Sequence, residues 1–311
     1  MTTIGELGED ALIAAFAPRL PTTDAEILGP GDDAAVLSVD GDLVVSSDVL
    51  VESVHFRRDW STGEDVGWRA AVQNLADIDA MGAVPTALQV TLAAPPDTPV
   101  AWVLAFADGL RLACEPHGVG VVGGDLSSAT EIHIGVTAIG ETHGIDPVTR
   151  ADAAPGDVVA VSSPVGAAAA GLALLLAGHV EGEAVQLFLR PRPLIGAGLE
   201  AALKGATSMM DISDGLLRDA TRIARASGVA LELASGLVPV HLAAVAAGKQ
   251  LGRDPLEWAL TGGEDHHMLA TFPARGAVPV GWTVIGEVRP GSGVLVDGAL
   301  PGDLGWDHFA G

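Results

Sequence analysis

The sequence predicts a two-domain protein built from α/β or α+β layers, and three observations carry that prediction. The chain has 311 residues, more than a single hydrophobic core usually serves. Segments of strand period and segments of helical period occur in both halves. Residues 143–157 break both periods with His-Gly-Ile-Asp-Pro-Val-Thr-Arg-Ala-Asp-Ala-Ala-Pro-Gly-Asp. The boundary is placed there, giving an N-terminal domain over residues 1–143 and a C-terminal domain over 144–311.

The elements follow in order. Leu7, Leu12, Ile13 and Phe16 give residues 5–17 an amphipathic helical pattern. Leu43-Val44-Val45-Ser46-Ser47 reads as a strand with Asp48 at its end. Residues 64–82 form the clearest helix, because Trp68, Ala71, Val72, Leu75, Ile78 and Met81 recur at three- and four-residue spacing. Asn74 and Asp77 project from nearly one side of it, while Asp79 points elsewhere and is expected at the surface. Residues 87–93 and 132–138 alternate as strands, a helix spans 99–115, and a short strand 119–122 runs into Gly123-Gly124-Asp125. In the second half, a strand at 158–162 precedes helices at 166–178, 193–204 and 216–227. Strands are expected near 229–233, 267–272, 282–288 and 293–296.

Composition excludes several classes. Acidic residues number 40 against 16 basic, a formal charge of −24, which argues against a nucleic-acid partner. Cys114 is the sole cysteine, so neither an intrachain disulfide nor a Cys-rich zinc site is expected. The start, Met1-Thr2-Thr3-Ile4-Gly5-Glu6, lacks the basic character of a signal peptide. The longest apolar run, residues 165–178, is too short for a bilayer span and reads as a buried helix. A cytoplasmic protein without a membrane partner is expected.

Carboxylates recur where apolar runs meet glycine-rich turns: Asp32 and Asp33, Asp48, Asp125, Asp211 and Asp214, with Asp77 on a helix. Clustered carboxylates are costly unless paired, and few basic residues lie near these motifs. Hard divalent cations with oxygen ligands are their natural partners, with Mg2+ bridging carboxylates to substrate phosphates. Neither a Walker phosphate loop nor the protein-kinase glycine loop is present. Asp211 and Asp214 suit either caps for helix 216–227 or a metal site. His266-His267 is a weak metal candidate, since adjacent strand residues face opposite ways.

Several ordered segments carry a resemblance: Gly31-Asp32-Asp33-Ala34-Ala35; Ser47-Asp48-Val49-Leu50-Val51-Glu52-Ser53-Val54-His55-Phe56; and Asn74-Leu75-Ala76-Asp77-Ile78-Asp79-Ala80-Met81-Gly82-Ala83-Val84-Pro85. Gly123-Gly124-Asp125, Asp211-Ile212-Ser213-Asp214-Gly215-Leu216, Gly262-Gly263-Glu264-Asp265 and Trp306-Asp307-His308-Phe309 continue the set. With these the chain resembles the thiamine-monophosphate kinase family of the aminoimidazole-ribonucleotide-synthetase-like superfamily. The resemblance implies an α/β (α+β) two-domain fold: an N-terminal mixed sheet with helices that dimerises, and a C-terminal layered α/β domain completing the ATP and substrate site. It implies a homodimer that phosphorylates thiamine monophosphate from ATP by direct in-line transfer.

By motif position, Asp32, Ser47, Asp48, Asp77, Asp125, Asp211 and Asp214 resemble the Mg2+ ligands. Gly124, Asp125, Arg150 and Ser213 resemble the ATP contacts, and His55, Glu264 and Trp306 the thiamine-phosphate contacts. No general base is expected, because the acceptor phosphate is already largely ionised near neutral pH. The chain departs from the family's usual Gly-Gly-Asp-Thr-Thr at Leu126-Ser127, and from its Glu-Asp-Tyr-Glu at His266-His267.

Overall fold

The computed structural model describes residues 2–31 and 34–306. It divides into two compact units: Met1–Ile78 with Val84–Gly144, and Asp79–Ala83 with Ile145–Gly311. In the first unit, α1 (Ile4–Leu7) and α2 (Glu9–Phe16) replace the single expected N-terminal helix. Gly8 separates them at φ +83°, a backbone state that glycine adopts without strain. There follow β1 (Glu26–Leu28), β2 (Val36–Leu37), β3 (Leu43–Val51), α3 (Gly63–Asp79), β4 (Val84–Ala94), α4 (Val100–Cys114), β5 (Gly120–Ser128) and β6 (His133–Glu141).

Among the described residues, β1 pairs with β2, and the remaining strands of this unit form a mixed sheet ordered β3-β6-β4-β5. The β4–β5 pair is parallel, as expected where α4 makes the crossover. β3 pairs with β6 along its whole length, from Leu43↔Glu141 to Val51↔His133. Asp48 therefore lies inside the strand rather than at its end, because the ladder continues as long as β6 offers partners.

α3 and α4 pack by backbone contact. A Cβ at Gly67 would stand 2.1 Å from the Phe106 carbonyl oxygen, and one at Gly109 would stand 2.2 Å from that of Glu64. Gly63 meets the Trp102 carbonyl in the same way. Close approach at this crossing requires residues without side chains. Cys114 is fully buried at the end of α4, where burial pushes its thiol up to about 12.

The second unit contains β7 (Val158–Val161), α5 (Ala167–Leu176), α6 (Glu183–Leu189), α7 (Ala197–Leu203), β8 (Ser208–Asp211), α8 (Leu216–Ser227), β9 (Ala230–Leu233), α9 (Leu242–Leu251), α10 (Pro255–Thr261), β10 (Met268–Phe272), β11 (Thr283–Arg289) and β12 (Gly293–Val296). Its sheet runs β12-β9-β11-β7-β10-β8, parallel at β12–β9 and antiparallel elsewhere. Leu216, Leu217, Ala220, Ile223 and Ala224 on α8 pack with Val159, Val161, Leu231 and Ile285 of the sheet into one core. α5 is the buried helix expected from the long apolar run; no described helix is long and apolar enough to cross a membrane.

Asp79 corrects the expectation of a surface position: it is fully buried in the second unit. Its Oδ2 accepts the N–H groups of Gly196 (2.9 Å) and Gly198 (3.0 Å), and its Oδ1 accepts that of Leu199 (3.0 Å). These are the orphan donors at the start of α7. Burial pushes the Asp79 carboxyl up to about 6, opposed by those three hydrogen bonds. Asp79→Ala strands the donors, and urea unfolding should show a loss of about 2 kcal/mol. An unchanged midpoint would mean that the α7 amides need no acceptor from the chain.

Candidate functional site

In the first unit, strand and helix periods bring four polar side chains together. Ser46 and Asp48 are two apart on β3 and share a face; Gln73 and Asp77 are four apart on α3 and share a face. The Ser46 hydroxyl donates to Asp77 Oδ2 at 2.7 Å, and Gln73 Nε2 donates to Asp48 Oδ2 at 2.9 Å. Ser46 and Gln73 were not anticipated from motifs, although these same two periods point to them. Ser47 alternates to the opposite face, where its hydroxyl donates to the Val136 carbonyl at 3.0 Å. Asn74 turns back on its own helix and donates to the Ala70 carbonyl.

Asp125 lies on β5, level with Thr91 of β4, exposed and without a hydrogen-bond or ion-pair partner among the described residues. A Cβ on its neighbour Gly124 would stand 1.8 Å from the Val90 carbonyl oxygen, so the ladder itself requires glycine there. β3 and β5 are the two edges of the sheet, which separates Asp48 from Asp125 by roughly 14 Å. Among the described residues, no group of three or more His, Cys, Asp or Glu side chains is arranged to hold a metal ion. Asp32 lies outside the described residues, as do Asp33 and residues 307–309.

His55 sits in a tight turn after β3, where Ser53 takes φ +68° and donates its N–H to the Phe56 carbonyl. The Val51 N–H donates to His55 Nδ1 at 3.0 Å. Nδ1 is thus the acceptor, and the proton of the neutral ring lies on Nε2. Buried Arg69 donates Nη1 to the His55 carbonyl at 2.9 Å and fixes the turn from below.

The second unit gathers three separated segments. Asp211 ends β8, and its Oδ2 lies 3.0 Å from Nδ1 of buried His266. The Glu264 N–H donates to the Ser213 carbonyl at 2.8 Å, and the Trp306 N–H donates to the Asp214 carbonyl at 3.0 Å. Main-chain bonds thereby tie Ser213 to Glu264 and Asp214 to Trp306, and the Asp211 side chain joins the same segment through His266. The Trp306 residue itself remains 56% exposed. Arg150 is exposed, and its carbonyl accepts from the Ser227 hydroxyl at 3.0 Å.

Neither Asp211 nor Asp214 caps α8, whose N-cap is Gly215 without a side-chain bond. Asp214 instead pairs with Arg222 at 2.5 Å. The loop amides of Ser213 and Asp214 are taken by Asp219, a residue that motif reasoning missed. Burial, and then the charge of Asp211, push the Asp219 carboxyl up to about 7.

The chain matches the family described as AIR synthase related protein over both its parts, the N-terminal domain at residues 31–142 and the C-terminal domain at 154–296. Thiamine-monophosphate kinase of Mycobacterium tuberculosis is 46% identical over 99% of this chain and 93% of its own length. The chain belongs to the thiamine-monophosphate kinase family. The kinase of Corynebacterium glutamicum is 40% identical over 99% of this chain and 95% of that one. The solved structure of AaThiL complexed with AMPPCP and TMP is 34% identical, covers 99% of both chains and superposes with a TM-score of 0.81. The mixed α/β fold of two domains expected from the sequence is the fold of this family.

In this thiamine-monophosphate kinase family member, His266-His267 lie in a turned rather than an extended segment. Glu264 and His266 take positive φ, so the segment before β10 is not extended. Both histidines are consequently buried instead of alternating between core and solvent. Asp265 anchors the segment by accepting the N–H groups of Gly166 (2.5 Å) and Ala168 (3.0 Å) at the start of α5. Burial, then the nearby His266 and His241, push the His267 imidazole down to about 4.

In the unfolded chain His267 takes a proton near 6.5, so unfolding consumes a proton between those two values. The associated stability is present above pH 6.5 and is lost as pH falls through about 4; it amounts to about 3 kcal/mol. The pH dependence of thermal unfolding should flatten in His267→Gln by about that amount. Equal slopes in the two proteins would contradict the assignment.

Proposed function

We propose that this protein transfers the γ-phosphoryl group of ATP to thiamine monophosphate, producing thiamine diphosphate, with Mg2+ held by its aspartates. The observation that carries the reading is full-length similarity to thiamine-monophosphate kinases, including one in complex with AMPPCP and TMP. The acceptor is a phosphate oxygen largely ionised near neutral pH, its second pKa being about 6, so no side chain needs to remove a proton. The obstacle is repulsion between two polyanions within a chain of formal charge −24.

The donor chemistry fits a hard divalent cation. Among the described residues, Asp125 has no partner and Asp48 accepts from the neutral Gln73 amide. The proposed ligands are Asp32, Asp48, Asp77, Asp125, Asp211 and Asp214, with Ser47 included from its motif position alone, since its hydroxyl lies on the face of β3 opposite Asp48. Asp211 and Asp214 already face His266 and Arg222, so a cation would share them with those groups. Bound there, Mg2+ would neutralise phosphate charge and orient the oxygens for direct in-line transfer.

Gly124, Asp125, Arg150 and Ser213 contact ATP on this reading. His55 offers an uncharged Nε2–H donor toward the thiamine phosphate. Glu264 complements the cationic thiazolium, and Trp306 covers its face through a cation–π contact. The enzyme is cytoplasmic and works as a homodimer. Support for the second copy comes from the outer face of β3, where Leu43 (52%), Val45 (56%) and Val49 (54%) stand exposed in a row.

Purified protein with ATP, Mg2+ and thiamine monophosphate should release thiamine diphosphate. Asp125→Asn and Asp214→Asn should lose activity about a hundredfold while keeping native circular dichroism. Near-native turnover in both would refute the ligand set. Val45→Glu with Val49→Glu should sediment as a monomer; a dimer in that variant would remove the β3 face as the interface.

A further inference from the structure

Resting on the phosphotransfer reading above, we propose that Asp219 and Arg222 of α8 are positioning residues that hold Asp214, main chain and carboxylate together, in the form that meets the cation-bound nucleotide. Asp219 is out of place for an ordinary helix residue. It lies fully buried on the apolar stripe of α8, beside Leu216, Ala220 and Ile223. A carboxylate in such a position is costly unless each oxygen is partnered, and an apolar residue would fill the space without that cost. Both oxygens are partnered, and every partner leads to the Asp214 loop. Oδ2 accepts the N–H groups of Ser213 at 3.1 Å and Asp214 at 3.0 Å. Oδ1 accepts Arg222 Nη1 at 2.5 Å, and the same guanidinium gives Nη2 to Asp214 Oδ2 at 2.5 Å.

The result is a closed ring: Asp214 amide to Asp219, Asp219 to Arg222, Arg222 to the Asp214 carboxylate. The Asp214 carbonyl is held separately by the Trp306 N–H at 3.0 Å. All three polar groups of Asp214 are thus fixed. This is not helix capping. Asp219 lies five and six residues beyond the amides it accepts and reaches back from within the helix. Arg222 serves a second purpose. Asp211 and Asp214 both repel the charge on Asp219, and the Arg222 fork spans Asp214 and Asp219.

The test uses the full-length enzyme and begins with wild-type turnover of thiamine monophosphate. Its absence would remove the phosphotransfer reading and leave the binding measurements below to judge the positioning claim. Arg222→Gln, at a partly exposed side chain, is the main variant. Its Mg2+ affinity, measured by calorimetry with AMPPCP present, should fall about tenfold or more. Amide hydrogen exchange at Ser213 and Asp214 should accelerate, and Arg222→Lys should recover part of both effects. Asp219→Asn keeps one oxygen for the loop amides but turns a donor toward Arg222; it should weaken Mg2+ in the same sense. Arg222→Gln with wild-type Mg2+ affinity would overturn the proposal, even if its melting temperature fell. So would unchanged exchange at residues 213 and 214.

Discussion

The structure depends on where buried carboxylates find their hydrogen bonds. With 40 acidic and 16 basic residues, most acids have no cationic side chain available to them. The chain solves this with backbone N–H groups. Asp79 takes three at the start of α7, Asp265 takes two at the start of α5, and Asp219 takes two from the Asp211–Asp214 loop. Each places carboxyl oxygens against donors that would otherwise be orphaned.

That division of labour separates architectural acids from those open to ligands. Asp79, Asp219 and Asp265 are consumed by the fold. Asp125, among the described residues, is not, and Asp48 accepts from the neutral Gln73 amide. Motif spacing alone treats all of them alike, because a carboxylate's availability depends on which amides reach it. The same constraint explains why glycine flanks so many of these residues: amides must approach without a side chain intervening, as at Gly198 beside Asp79.

Strongly periodic segments were legible in the sequence. α8 runs over Leu216–Ser227 as its apolar stripe indicates, and α3 and α4 lie within a few residues of their expected limits. The stripes are legible because each helix buries one continuous face. α6, α9 and α10 were not anticipated; their short, alanine- and leucine-rich segments carry little contrast between faces. Asp79 was misread because its partners lie 117 to 120 residues further along the chain. Ser46 and Gln73 needed the pairing of one strand with one helix before their periods could be combined. Asp219 was recoverable in principle, since a carboxylate at a core position of α8 contradicts the helix's own pattern.

The glycine-to-carbonyl contacts between α3 and α4 set a limit on adaptability. Most cores absorb an added methylene through rotamer changes, so neighbouring surfaces drift gradually as sequences diverge. At Gly63, Gly67 and Gly109 no rotamer exists to absorb anything, and one added carbon must move a helix axis. Gln73 and Asp77 ride on that axis. The spacing between the α3 side chains and β3 is therefore held to backbone tolerance. Alterations that retune the acidic face without touching a ligand are expected to concentrate at the helix crossing, where a change of one carbon acts as a displacement.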